Sequence, residues 1–254
     1  MQHWHLKTAI LSTLLLLSEM ALAKGGDESV APTFFFDTKF GLVTYKSEIV
    51  ASNETSTSVA YGFGVYAGRD RDIGFFLNNE STTVAFELNG ASLTSTWRDL
   101  IIRYRLGPTY LGLVVNDSTF VIARPDPEST DAEPPSENFV DLSGSGYGVN
   151  LGLQIPMGKR GSHAYLDIIS VSSLTVKEAI VKNSSDTIVN GTREAATLAS
   201  RTDMDLGGAI DLTKDMIDAI VGYKTRTYTM TVDGTSYTDT TSSTYLGLKF
   251  SWIF

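Results

Sequence analysis

Apolar residues recur at every second position along much of this chain, in runs separated by Gly, Pro, Asn and Asp. Successive side chains on a strand point to opposite faces, so each run predicts a strand with one apolar face and one polar or small face. The last ten residues show the pattern most clearly. Leu246, Leu248, Phe250, Trp252 and Phe254 share one face, and Tyr245, Gly247, Lys249, Ser251 and Ile253 share the other. Tyr147, Val149, Leu151, Leu153 and Ile155 alternate as cleanly with Gly148, Asn150, Gly152 and Gln154.

Period-two runs and turn signals together predict about ten strands, with eight as the alternative if the third to fifth segments divide differently. The predicted strands begin near Thr33, Thr57, Ile73, Ser92, Thr109, Tyr147, His163, Thr197 and Met216, and the tenth ends at Phe254. The third is expected to continue to Phe86; Asn78-Asn79-Glu80 interrupts its pattern and could instead be a loop. Arg69–Asp72, Gly107-Pro108, Pro156–Gly161 and Thr213–Asp215 are short connections. The intervening ones are mostly longer, apart from the hairpin signals Asn89-Gly90 and Asp233-Gly234. Arg124–Ser145, rich in Pro and acidic residues, is predicted to be a long uncrossed loop. Short turns on one side and longer loops on the other are the pattern of bacterial membrane barrels. An even count puts both ends of the barrel domain on one side. Phe34 and Phe36 would then lie beside Trp252 and Phe254 where the first and last strands meet.

Composition agrees with that class. The chain has no Cys, so disulfides and thiolate metal sites are excluded. Charged residues are 19%, low for a soluble domain, and Gly numbers 22. The net charge of −9 argues against a nucleic-acid partner. Thr8–Leu17 is apolar but too short to span a membrane as a helix, and Ala21-Leu22-Ala23 is a small-x-small site. Residues 1–23 therefore read as a cleavable signal peptide, leaving 24–254 as one all-β, closed antiparallel transmembrane barrel. No later window approaches twenty apolar residues.

The terminal strand resembles the C-terminal assembly signal of Gram-negative outer-membrane barrels. That signal ends on Phe, with apolar residues at every second position before it and a Gly upstream. Here those positions are Leu246, Leu248, Phe250, Trp252 and Phe254, with Gly247 upstream. The resemblance implies an outer-membrane location and contact with its lipid and lipopolysaccharide. It also implies engagement of the barrel-assembly machinery during biogenesis.

Once the lipid-facing sets are assigned, the inward set carries both signs of charge. Asp37, Asp99, Asp167, Asp203, Asp205, Asp211 and Asp218 face Lys39, Arg103, Arg105, Lys224, Arg226 and Lys249. Such groups must pair or line water. The first expectation is porin-like passage of small polar solutes or ions. The alternative is a non-conducting structural or interaction barrel whose lumen is filled by ion pairs and which presents the acidic loop Pro125–Asp141. An enzyme is not expected. The barrel-enzyme families of the outer membrane use His, and two of the three His, His3 and His5, fall in the signal peptide. The remaining His163 lies beside a predicted periplasmic turn and reads as a rim residue. The acidic segment fits no EF-hand spacing, and no metal or cofactor is expected.

Overall fold

The structure is a computed structural model and describes residues 31–48, 52–67, 72–85, 92–125, 136–158, 161–181, 196–214, 216–232 and 235–253. The predicted signal peptide and Phe254 lie outside them, as do Asn89-Gly90 and Asp233-Gly234. The strands are β1 (Thr33–Ser47), β2 (Ser52–Ala67), β3 (Ile73–Ala85), β4 (Ser92–Leu106), β5 (Thr109–Pro125), β6 (Ser136–Pro156), β7 (His163–Val181), β8 (Ala196–Asp211), β9 (Ile217–Val232) and β10 (Thr235–Ile253). Each pairs antiparallel with its sequence neighbours, and β1 closes on β10. Closure removes the unpaired backbone edge that an open sheet would expose. At the seam Phe34 pairs with Trp252 and Phe36 with Phe250, and the Phe34 and Trp252 rings stack 6.3 Å apart at 13°.

The register also fixes the barrel's stagger. A row of paired residues leaves Phe34 through Val65, Phe75, Ile102 and Leu113. It continues through Val149, Ser170, Thr202, Thr227 and Thr240 and returns to β1 at Lys46, not at Phe34. A row that climbs this far in one circuit requires strands tilted by about 40° from the axis.

Expectations about the ends of β2, β5 and β6 need correction, and the alternative of a loop within β3 falls away. β6 begins at Ser136, well before Tyr147, and β5 runs on to Pro125, so much of Arg124–Ser145 is strand. Irregularities at Ser143/Gly144 and Ser145/Tyr147 break the period-two pattern there. Residues 126–135, between the two strands, lie outside the described residues. β3 passes unbroken through Asn78-Asn79-Glu80, because Asn78 and Glu80 face the polar interior. β2 begins at Ser52, not Thr57, with Ser and Thr in place of apolar residues over its first turn-distal positions.

That last correction reflects a change of polarity along every strand. Near the short turns the outer face is apolar: Phe40 and Leu42 on β1, Leu111 and Leu113 on β5, and Leu246 and Leu248 on β10 are all exposed. Toward the longer connections it becomes Thr44, Thr57, Asn79, Arg98, Asp117, Thr202, Thr225 and Thr244. The inner face reverses in the opposite sense. Charges lie toward the turns and at mid-height, whereas Val43, Tyr45, Val84, Leu93, Phe120 and Tyr228, at most 2% exposed, fill the loop-side end. The apolar outer belt spans nine residues of β1, Phe34–Leu42, or about 20 Å at that tilt.

Inward glycines receive aromatic rings from the next strand. Phe35 is paired with Gly64, Tyr66 with Gly74, Tyr110 with Gly152, Tyr165 with Gly207 and Tyr245 with Gly222. A Cβ on Gly152 would stand 2.0 Å from the Tyr110 ring, and one on Gly64 2.1 Å from Phe35. The missing side chains let the rings lie flat against the wall.

Candidate functional site

The lumen is the candidate site, because alternate positions of all ten strands point into it. It has three storeys. On the turn side, Arg103 of β4 is sandwiched between the Phe76 and Tyr110 rings at 4.4 and 4.5 Å. It donates through Nε to Asn150 Oδ1 and through a terminal nitrogen to Asp167 Oδ2, both at 2.5 Å. Across the barrel Lys39 Nζ donates to Asp205 Oδ2 at 3.2 Å and lies 4.7 Å from the Tyr245 ring centre. Tyr245 donates to the other Asp205 oxygen and meets Tyr165 hydroxyl to hydroxyl. Lys249 sits 3.7 Å from Asp218 and over the Phe35 ring. The flat rings thus provide polarisable surfaces for cations whose charges are answered by nearby carboxylates.

At mid-height six charges form one network. Arg201 forks onto Asp99 at 2.8 and 2.7 Å and onto Asp203 at 2.8 and 2.6 Å. Arg226 also binds Asp203 twice, at 2.9 and 2.8 Å, and reaches Glu80 at 3.0 Å. Lys224 bonds Glu80 at 2.5 Å and lies 3.4 Å from Asp203. Three acids therefore answer three cations, with the guanidinium forks matching carboxylate geometry. Register brings them together: Asp203 is directly opposite Arg226, and Asp205 opposite Lys224. Asn116 adds a bond to Asp99 at 2.8 Å, and Trp97 lies within 5.1 Å of both guanidinium carbons.

Above the network lies an aromatic layer. Tyr228 packs against Trp97 at 5.2 Å and Phe120 at 5.5 Å, and its hydroxyl donates to Tyr45 at 3.3 Å. Tyr45 and Ser47 both donate to one Asp239 oxygen, and the Glu48 backbone N–H donates to the other at 2.8 Å. Arg201 and Tyr45 are 0% exposed, so solvent reaches neither side chain, whereas Lys224 and Glu80 at the cavity edge of the network keep 20% and 14% of their side-chain surface. Below it, a cavity of about 180 Å³ is bordered by Asp37, Lys39, Glu80, Asp205 and Lys249, with His163 toward the turns. The exposed fraction of these groups is modest; Lys39 and Lys249 keep about a quarter of their side-chain surface.

Most of the sequence-derived lumen charges come together here: Lys39, Asp99, Arg103, Asp167, Asp203, Asp205, Asp218, Lys224, Arg226 and Lys249 all join ion pairs or hydrogen bonds, and Asp37 lines the cavity. Two stand apart. Arg105 has the inward parity but bonds the Gly107 carbonyl at the turn, and Asp211 lies at the end of β8 opposite Asp218, its backbone N–H bonded to Ser162. Arg201, Glu80 and Asp239 were missed. Arg201 lies two positions before Asp203, so alternation alone would have found it. His163 bonds only the Gly161 carbonyl among the contacts described for it, beside the Tyr165 ring. Among the described residues no group of three or more His, Cys, Asp or Glu is disposed to hold a metal ion.

No protein-family profile matches the sequence, and no curated protein matches it. Solved structures do share its architecture. The outer membrane protease OmpT from Escherichia coli aligns over 89% of this chain and 97% of its own, with TM-score 0.50 and 8% identity. The β domain of the Bordetella autotransporter BrkA aligns over 89% and 100%, with TM-score 0.45 and 12% identity. Neisserial surface protein A aligns over 85% and 96%, with TM-score 0.40 and 12% identity. At these identities the likeness is one of fold: a closed antiparallel barrel of the Gram-negative outer-membrane type.

Proposed function

We propose that this barrel of outer-membrane type resides in the outer membrane as a closed, non-conducting structural or interaction protein, with its longer connections presented outward. The observation that carries this reading is the dry storey of Trp97, Phe120, Tyr45 and Tyr228 resting on a network in which Asp99, Glu80 and Asp203 answer Arg201, Lys224 and Arg226. A solute path needs wetted side chains at every level. These groups instead satisfy one another in a low-dielectric interior, where fully paired networks rigidify a structure. The porin-like expectation would require that whole storey to move. OmpT is a protease, but hydrolysis needs an accessible, water-fed site. The inward side chains described at the loop-side end of this chain are buried aromatics, aliphatics and the tightly bonded Asp239. This reading therefore assigns no catalysis.

The test is conductance of the purified, refolded full-length barrel in planar phospholipid bilayers. The wild type should show no steady channel. The double substitution Trp97→Ala and Tyr228→Ala, which empties the aromatic storey, should produce one. Stable, ion-selective wild-type conductance would overturn the reading in favour of passage.

A further inference from the structure

The outer wall changes character at one level around the barrel. On β3, β4, β5 and β6 the continuous apolar set of the outer face ends at Leu77, Leu100, Val115 and Tyr147, which form one register row. The next outward row is Asn79, Arg98, Asp117 and Ser145. On the other side the change falls between Met204 and Thr202, Tyr223 and Thr225, Leu246 and Thr244, Leu42 and Thr44, and Val59 and Thr57. Register rows climb around the barrel, so a level ring must step from row to row, as this one does. Tyr61, Tyr147 and Tyr223 stand at or beside the ring, at least 42% exposed, where interfacial aromatics belong.

Above the ring the wall is largely hydroxyls. Thr225, Ser242, Thr44 and Thr55 form one row, and Thr202, Thr227, Thr240, Lys46 and Asn53 the next. On the far side Ser81, Thr96 and Thr119 align, and the row above them is Thr83, Thr94 and the apolar Val121. A hydroxyl left unpaired in hydrocarbon costs on the order of 2 kcal/mol or more. Thr83 pairs with Thr94 and Thr231 with Ser236, but a wall made of such rows is costly in hydrocarbon, and the buried aromatic core inside the same storey suits a wall bathed in a polar medium. Few charges interrupt it: of the described collar positions named here, Lys46, Arg98 and Asp117 are ionic, and Arg98 lies 3.7 Å from Asp117. A phosphate layer would call for unopposed cations. A neutral, donor-and-acceptor surface set directly on the lipid belt suits sugar.

We propose that the loop-side half of the barrel stands clear of the hydrocarbon and that its Thr/Ser collar hydrogen-bonds the core saccharide of neighbouring lipopolysaccharide. This rests on the outer-membrane placement above, but it makes no use of the closed lumen. The test uses the full-length barrel in three kinds of vesicle: phospholipid alone, with deep-rough lipopolysaccharide that carries phosphates but no core sugars beyond the innermost, and with core-bearing lipopolysaccharide. Thr227→Cys and Thr240→Cys should label with an impermeant maleimide in phospholipid vesicles, whereas Leu246→Cys should not. Core-bearing lipopolysaccharide should raise Tm over the deep-rough form by about 2–4 °C, equivalent to ~1 kcal/mol for a chain of this size. Replacing Thr225, Thr227, Thr240 and Ser242 together by Val, which keeps strand propensity, should abolish that gain. Failure of the two collar cysteines to label in phospholipid would overturn the proposal. So would an equal Tm in the two lipopolysaccharides, or a gain that survives the Val substitutions and so reflects crowding alone. Conductance is read separately in phospholipid, so failure here leaves the closed-lumen reading to its own test.

Discussion

Asp203 is the residue on which the lumen turns, because three cations share its two oxygens. Removing one member of a buried ion network leaves its partners uncompensated. Asp203→Asn should therefore lower unfolding free energy by about 3–5 kcal/mol, read from guanidinium titrations in detergent. Asp205→Asn should cost less, since its partner Lys39 keeps part of its surface in the cavity. A loss at Asp205 as large as at Asp203 would argue that the cavity is as dry as the network. Gly152 offers a second probe, because the Tyr110 ring that covers it also covers Arg103. Gly152→Ala should displace that ring and cost about 1–3 kcal/mol, the range for overpacking, whereas Gly158→Ala at an open turn position is strained only by its φ of 75°. Much at this scale was legible from alternation: Asp203, Asp205, Lys224 and Arg226 follow from the lipid-facing Met204, Leu206 and Tyr223 between and beside them. Arg105 shows the limit. Parity says which face a side chain leaves from, but a long side chain near a strand end can turn back to the nearest carbonyl.

At the scale of the strand, β4 was legible to both ends, because the turn signals Asn89-Gly90 and Gly107-Pro108 bracket it closely, although its outer face changes from polar to apolar between Arg98 and Leu100. β2 and β6 were legible only in their turn-side portions. A search for apolar residues at every second position stops where the outer face becomes Ser and Thr, although the backbone ladder continues. On β9 the same strand reads Ile217, Ala219, Val221 and Tyr223 outward, then Thr225, Thr227, Thr229 and Thr231. Strand length was thus hidden by an assumption that one face stays apolar throughout. β10 carries the strongest signal because its turn-side end packs Trp252 on Phe34 at the closing seam. Replacing Trp252 and Phe254 by Ser should lower the heat-modifiable, folded fraction recovered from outer membranes. Undiminished folded yield would remove the assembly role from this strand and leave it a purely structural seam.

For the whole molecule, the ten-strand count, the closed register and the apolar belt together give the barrel an up and a down. Charges buried inside the belt and aromatics buried above it mean that the two halves face different surroundings, so the belt sets the barrel's depth, and a shift along its axis would bring the Thr/Ser wall into lipid and the belt into water. Both ends of the described chain, Ala31 and Ile253, lie on the turn side with Gly107-Pro108 and Met157–Ser162. The loop-side ends of β5 and β6, at Pro125 and Ser136, lie on the opposite side. If that side faces outward, a single Ser136→Cys at the start of β6 should react with an impermeant maleimide in intact cells. Ser162→Cys, in the turn before β7, should react only after the outer membrane is permeabilised. The opposite pattern would invert the barrel, and reaction at both positions in intact cells would mean that β6 does not cross. The second outcome would conflict with a strand paired along its length to both β5 and β7. The sequence made this orientation legible through loop lengths alone; what the structure adds is depth, since sliding the barrel toward its turn side would carry the outward hydroxyls of Thr44, Thr57, Thr202, Thr225, Thr227 and Thr240 into hydrocarbon, each at a cost on the order of 2 kcal/mol where it finds no partner.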